Sequence, residues 1–322
     1  MNIEIIQEKA LKDKVKLIND ALHAVEEAFI KLAENKVTMP PIMHIDIADF
    51  EGEVDVKSAY IHGLDKFVIK QSSGFFNNPK KGLPSSGGLM IVIDATTGFP
   101  CALLLDNGYL TDIRTALAGA ISAKYLANKK IHTVGVLGSG NQAKYQLKAL
   151  QLVRDFKEVA IYARNKAQAE EYKNEMKNIL NCTINITDSP TKVARSCQLL
   201  ITTTPSTIPL IHPSDLHPGI HITAMGSDAA VKNEIAAETF THFDKIICDD
   251  ISQSLSLGEC NHANKAKMYE PNKHKIITLG EVIKDPSMGR KSENDITLCD
   301  LTGTGAQDTA IARHALSVLK NI

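Results

Sequence analysis

Thr133-Val-Gly-Val-Leu-Gly138-Ser139-Gly140-Asn141-Gln142-Ala143 is the stretch that decides how the rest of the chain is read. Its first five residues form a short apolar run of the kind that makes a buried strand, and NQAKYQLKALQLV after it has helical spacing. Between them stands a G-x-G-x-x-A turn, and its place between strand and helix lifts it above a chance match. Gly138 permits the tight turn, Gly140 lets backbone amides approach a pyrophosphate, and Ala143 is small enough for helix to pack on strand. The positive end of the helix dipole then faces the anion. An ordinary strand-to-helix turn is the competing reading.

Downstream, the same rhythm continues. EVAIYA (158–163), KAQAEEYKNEMKNIL (166–180) and TINIT (183–187) alternate as strand, helix and strand. Further apolar strands follow at 198–204, 221–225, 245–249 and 296–300. This alternation predicts a Rossmann-type, doubly wound parallel sheet.

Upstream the pattern changes. Short strands at EVDVKSAYI, FVIKQSS, GLMIVID and CALLLD, separated by turn-rich segments, predict an antiparallel sheet over 53–105. Ile18, Leu22, Val25, Phe29 and Leu32 predict an amphipathic helix over 14–34. A helix rich in small residues is expected over 110–127, bridging two lobes, and a last helix over 306–320 that returns to the first lobe. The fold class expected is α/β, the parallel-sheet domain being joined to a second, α+β substrate and dimerisation domain. With 322 residues each lobe can bury its own core, and a cleft is the default place for a site.

Composition narrows the function. Lys+Arg 36 against Asp+Glu 37 leaves no cationic excess for nucleic acid or anionic lipid. The apolar runs LMIVI and CALLL are far too short to span a bilayer, so a cytoplasmic protein is expected. Six cysteines without a Cys-x-x-Cys pair disfavour zinc and a redox dithiol, and Cys260 with His262 lacks further ligands, so no metal is expected.

The end of the second strand, IYARNK, usually carries an acidic residue in NAD enzymes, for the ribose 2′-hydroxyl. Here Arg164 stands instead, which suits a 2′-phosphate and favours NADP(H) within the NAD(P)(H) pair; a plain exposed loop residue is the alternative. Thr203, Thr204 and Pro205 after one strand, and Met225 and Gly226 after the next, are expected to flank the dinucleotide, being mostly small or hydroxylic.

Together these blocks resemble the ornithine cyclodeaminase/mu-crystallin family over nearly the whole chain. The resemblance is carried by residues 83–127, which contain LTDIRTALAGA, and by VGVLGSGNQAKYQL (134–147), ITAMGSDAAVKNEI (222–235) and DLTGTGAQDTAIA (300–312). Residues 52–85 look closest to the cyclodeaminase-like proteins of ectoine utilisation, whereas SQSLSLGECNHA (252–263) looks like members that reduce iminosuccinate. The resemblance implies a homodimer, a substrate and dimerisation lobe of residues 1–121 plus 301–322, and a dinucleotide lobe of 122–300.

It also implies roles. Lys70 matches the lysine that faces the substrate, where a cation can hold the carboxylate or polarise a C=N group. Alone, a lysine ending FVIK could equally lie on the surface. Arg114 matches the arginine that binds the α-carboxylate, a task suited to a planar bidentate donor. Asp228 matches an aspartate implicated as acid/base; capping a following helix is the alternative. His44 departs from the pattern, since many members carry a second carboxylate-binding arginine there and an imidazole holds an anion less firmly. Ser85 and Ser86 suit a glycine-rich turn and are left out of the catalytic set.

The activity implied is NAD(P)-dependent hydride exchange at the amine or imine α-carbon of a small amino acid or cyclic imine. The first reading is an ornithine cyclodeaminase-like enzyme, which would recycle the cofactor; the alternative, an imine reductase or amino-acid dehydrogenase of ketimine or iminosuccinate type, would consume it. The family also includes a vertebrate lens and hormone-binding protein, so a binding-only, crystallin-like role is the alternative of another class.

Overall fold

The computed structural model describes residues 3–75, 77–268 and 275–320. In chain order the first elements are β1 (Glu4–Gln7), α1 (Glu8–Lys14), α2 (Asn19–Ala33), β2 (Val37–Thr38), β3 (Met43–Ile47), β4 (Gly52–Ile61), β5 (Lys66–Phe75), β6 (Ser86–Asp94), β7 (Pro100–Leu105) and α3 (Tyr109–Leu126). Then come β8 (Thr133–Leu137), α4 (Asn141–Leu150), β9 (Glu158–Tyr162), α5 (Lys166–Leu180), β10 (Thr183–Ile186), α6 (Pro190–Ser196), β11 (Leu199–Thr202), β12 (His221–Ala224) and β13 (Lys245–Cys248). The last are α7 (Ile251–Ser254), α8 (Glu259–Lys265), β14 (Ile277–Thr278), α9 (Leu279–Lys284), β15 (Thr297–Asp300) and α10 (Gly305–Lys320). The chain divides into two compact units, 1–114 with 304–322, and 115–303.

The first unit is a mixed seven-stranded sheet in the order β1-β7-β6-β5-β4-β2, with β3 also on β4. Its β4–β7 ladders are antiparallel, as expected, while β2 and β3 add antiparallel partners to β4, and β1 a parallel edge to β7, that the sequence did not predict. Helix α10 lies against α2, β4 and β5. Gly305 lets it approach, since a Cβ there would stand 2.5 Å from the Ser58 carbonyl oxygen. The predicted helix 14–34 begins at Asn19, because Ile18 is extended (φ −136°, ψ 165°) and forms the N-cap. Ile18 is exposed, and Leu22, Val25 and Phe29 carry the buried face.

The second unit is an eight-stranded, wholly parallel sheet in the order β10-β9-β8-β11-β12-β15-β13-β14. The direction of winding reverses at β8, between β9 and β11, which defines the topological switch point of a doubly wound fold. Every residue of β8, β11, β12 and β15 is buried, which explains why apolar residues fall on both faces of β8 and β11 in place of the alternation of a half-exposed strand. Strands of the first unit instead alternate, as in β7. No helix among the described residues is long and apolar enough to cross a membrane.

Candidate functional site

In the first unit the fold buries a cluster of charges. Lys70 lies on the face of β5 shared with Val68, and its register partner Met90 pairs in turn with Leu104. Strand alternation thus sets an ammonium among buried apolar side chains, and Lys70 is 2% exposed. Arg114 lies in the second turn of α3, whose start is fixed by Asp106: its Oδ2 accepts from the Leu110 amide at 2.8 Å. Opposite both cations stands Asp308 in the first turn of α10, fully buried. Lys70 Nζ lies 3.0 Å from its Oδ2, and Arg114 Nε donates to its Oδ1 at 2.9 Å. Arg114 also donates to Gln307 Oε1 at 3.1 Å.

Burial pushes the Lys70 ammonium down to about 8; Asp308 opposes this, and Arg114 and Lys57 add to it. For Asp308, burial alone would raise the carboxyl, yet Lys70 and Arg114 together hold it below its ordinary value. Burial pushes the Asp106 carboxyl up to about 6, against the amides that donate to it. Gln307 Nε2, a donor beside this group, is buried and has no hydrogen-bond partner among the described residues. A buried, unsatisfied donor is costly and marks a place where a ligand acceptor fits. A carboxylate is the acceptor such a cationic surrounding favours.

Lys70 and Arg114, named from sequence, are therefore brought together. His44 is not part of the group. It lies exposed on β3, and its Nδ1 is 2.8 Å from Asp55 Oδ1, a hydrogen bond that raises the imidazole above its usual value. Asp308, Gln307, Asp106 and Lys57 were missed. A signal existed for the first two, since AQD interrupts an otherwise small and apolar helix start.

In the second unit, loops after three neighbouring strands meet. Gly138 has φ +110°, and a Cβ there would stand 2.7 Å from Thr203 Oγ1 and 3.1 Å from its carbonyl oxygen. Only glycine fits. Thr203 is tied to the same turn, its amide and hydroxyl both donating to the Leu137 carbonyl at 2.9 Å. Gly140 is the N-cap of α4, and a Cβ there would meet nothing within 4 Å. That open approach, at a helix start with no capping side chain, fits a pyrophosphate. Ser139 is half-buried and Asn141 exposed beside it, with Gln142 half-buried next in the helix. Ala143 is fully buried, and its carbonyl accepts from the Tyr172 hydroxyl at 3.0 Å, tying α4 to α5.

Thr204 is held through its amide and hydroxyl, both donating to Glu234 Oε1 at 2.7 Å. Gly226 is wedged there too, with Glu234 Oε2 at 2.2 Å and the Thr204 carbonyl oxygen at 2.4 Å from any Cβ. Burial pushes the Glu234 carboxyl up to about 7, with Thr202 and Thr204 opposing the shift. Glu234 was missed from sequence because it lies thirty residues beyond the loop it holds. Met225 is half-buried against the core, and Pro205 is exposed.

Asp228 lies exposed after β12, 2.5 Å from Lys232 Nζ. The segment that follows is a turn rather than a helix, so Asp228 is no helix cap. Arg164 is exposed immediately before Asn165, the N-cap of α5. Among the described residues, no group of three or more His, Cys, Asp or Glu is placed to hold a metal ion.

The model of the ornithine cyclodeaminase/mu-crystallin family matches residues 4–319. The chain belongs to that family. Among its relatives, an uncharacterised cyclodeaminase of Sinorhizobium fredii is 45% identical over 97% of this chain and 95% of its own length. The alanine dehydrogenase of Archaeoglobus fulgidus is 36% identical over 92% and 89%. Two solved structures share the fold throughout. An archaeal alanine dehydrogenase dimer with bound NAD is 32% identical, with a TM-score of 0.91, covering 100% of this chain and 98% of that one. The Thermococcus litoralis Δ1-pyrroline-2-carboxylate reductase, solved with NADH and L-proline, is 25% identical, with a TM-score of 0.93 over 99% and 98%. This family member thus has NAD-dependent dehydrogenases and imine reductases among its relatives.

Proposed function

We propose that this protein catalyses NAD(P)-dependent hydride transfer at the amine or imine α-carbon of a small amino acid. The observation that carries the reading is the buried group of Lys70, Arg114 and Gln307 Nε2 around Asp308, which offers a carboxylate more donors than the fold itself uses. Arg114 and Lys70 hold the substrate carboxylate and so fix the α-carbon beside them. Lys70, brought down to about 8, can also give or take the proton on nitrogen near neutral pH. In the second unit, the amides at Gly138–Ala143 receive the pyrophosphate, Thr203, Thr204 and Gly226 border the ribose, and Asp228 serves as acid/base toward the leaving or entering amine. A nicotinamide dinucleotide supplies the hydride acceptor or donor.

NADP(H) is favoured through Arg164, and the active form is a homodimer. The narrower placing in ectoine catabolism rests on the resemblance of residues 52–85 alone. Cyclodeamination is kept as a second reading because of the cyclodeaminase-named relative. The test is to incubate the protein with NADH or NADPH and a panel of cyclic imines, iminosuccinate, 2-oxo acids with ammonia, and diamino acids. Absorbance and product mass are followed together. Stoichiometric cofactor oxidation indicates reduction, and product without net cofactor change indicates cyclodeamination. No product from any member, with the dinucleotide tightly bound, would sink the enzymatic reading in favour of a binding protein.

A further inference from the structure

The loops that follow β11 and β12 are joined by one side chain. The two strands are parallel neighbours that end level, Thr202 being paired with Ala224. Beyond them, Glu234 Oε1 accepts from both the amide and the hydroxyl of Thr204 at 2.7 Å. Its Oε2 and the Thr204 carbonyl oxygen together occupy the space where Gly226 has no side chain. Glu234 is fully buried. Burying a carboxyl is costly, and packing alone would favour an apolar side chain at this position.

The backbone that carries this arm is itself fixed by separate segments. The Glu234 carbonyl accepts from the amides of Leu210 and Ile211 at 2.8 and 3.1 Å, and the neighbouring Asn233 amide donates to the Ser206 carbonyl at 2.7 Å. At the start of α8, the Glu259 carboxylate accepts from the amides of Glu234 and Ile235 at 2.8 and 3.1 Å. Thr204 and Gly226 are thus held from a post that neither loop supplies.

Strand order says which half of a dinucleotide meets these loops. In a doubly wound sheet the ligand crosses the end of the strand where the order reverses, here β8, with its pyrophosphate at the glycine turn. The adenosine ribose falls on the β9 side, and the other half lies over the ends of β11 and β12. We propose, resting on the functional reading above, that Glu234 is a positioning residue for hydride transfer: acting through Thr204 and Gly226, it joins their loops into one seat for the nicotinamide half of the cofactor. Such a seat matters because a misplacement of about 1 Å can cost about a hundredfold in rate.

The test sets NADH against ADP, which keeps the adenosine and the pyrophosphate but lacks the nicotinamide half. Calorimetry on the full chain reads both affinities, and the fluorescence emission of bound NADH reports the surroundings of its ring. Glu234→Ala should weaken NADH binding at least about tenfold, the size of a lost charge-assisted contact, and return its emission toward that of free NADH. ADP affinity should stay within about twofold, since the glycine turn is a separate site. Glu234→Gln keeps an oxygen acceptor for Thr204 at the same reach and should bring NADH affinity back to within about threefold of the parent. Melting temperature and ADP affinity show that each variant is folded. If Glu234→Ala does not fold, Glu234→Asp, shorter by one methylene, takes its place with the same expectations. An alanine or aspartate variant that binds NADH as the parent does overturns the proposal, as does one that loses NADH and ADP equally, or a glutamine variant no better than alanine. A parent that binds neither ligand is a different failure: the dinucleotide reading itself falls, and the proposal with it.

Discussion

The two halves of the proposed machinery are built by opposite physical means. In the first unit the groups are long charged side chains that the fold takes out of water and balances against one carboxylate, Asp308. In the second they are backbone amides made approachable by two glycines, with no ionised side chain in the Gly138–Ala143 turn. Buried charge is costly to fold around but selects sharply for charge and shape. A glycine turn adds little to the folding cost and accepts any ligand that carries the right anion. Stability and ligand recognition should therefore be tied together in the first unit and separable in the second.

The strongest way to break that contrast is Asp308→Asn. It keeps the shape but leaves Lys70 and Arg114 without a counter-charge, and losing one partner of a buried pair typically costs about 3–5 kcal/mol. We expect denaturant unfolding to show a loss of that size, together with loss of amino-acid turnover. A variant as stable as the parent would mean that the cluster is not the balanced group described. Glycine gives the contrasting pair. Gly138→Ala should destabilise the chain by about 1–3 kcal/mol, since its Cβ meets Thr203 at a positive φ. Gly140→Val has room in the protein and should leave the melting temperature nearly unchanged, yet weaken dinucleotide affinity at least about tenfold by obstructing the pyrophosphate. If Gly140→Val binds NADH and NADPH as the parent does, the pyrophosphate does not lie there.

Next in size is Arg114. A bidentate guanidinium contact to a carboxylate contributes about 1.5–3 kcal/mol, so Arg114→Ala should weaken substrate use at least about tenfold, and Arg114→Lys should recover only part. Substrate esters, lacking the carboxylate, should be used equally poorly by variant and parent. A variant that keeps the parent's full preference for the free acid would move the carboxylate to other groups.

How far the sequence revealed this follows the same division. The glycine turn was legible because its determinants are eleven consecutive residues, and the strands around it are mostly apolar. Lys70 and Arg114 were legible as residues of a recognisable pattern, but not as a balanced cluster. Asp308 is separated from Lys70 in sequence by the whole second unit, and pairing at such distance leaves no local spacing to read. Lys57 was hidden differently: EVDVKSAYI carries polar residues on both faces of β4, so alternation alone does not say which face is buried. Helix α1 and strands β1, β2 and β3 were missed because they are short, and β3 is mostly exposed, so no apolar period marks it.

A smaller effect separates the two units by pH. With Lys70 at about 8, its positive charge is present below that pH and lost as pH rises through it. Inhibition by a 2-oxo acid, which has a carboxylate but no amine to titrate, should therefore weaken several-fold between about pH 7 and pH 9. Lys70→Met should flatten the profile. Dinucleotide affinity should change little across the same window, since backbone amides do not titrate. A parent profile already flat would place the carboxylate out of reach of Lys70.

The smallest expected effect concerns Arg164, and it sharpens the contrast within the second unit. The pyrophosphate contacts assigned to the glycine turn are common to NADH and NADPH, so they cannot choose between them. Choice falls to a side chain at the end of β9, where Arg164 lies exposed. An exposed guanidinium is partly screened by salt, so its contribution to a 2′-phosphate should fall toward the low end of charge-assisted contacts. We expect Arg164→Ala to lower the ratio of NADPH to NADH affinity by about three- to tenfold, acting on NADPH alone. The difference should shrink as salt is raised from low to about 0.5 M, because the Debye length falls below the span of an exposed pair. Isothermal titration of both cofactors against parent and variant reads the two ratios directly. If Arg164→Ala leaves the ratio untouched at low salt, the guanidinium does not meet the 2′-phosphate, and the preference for NADP(H) falls with it while the glycine turn's assignment stands.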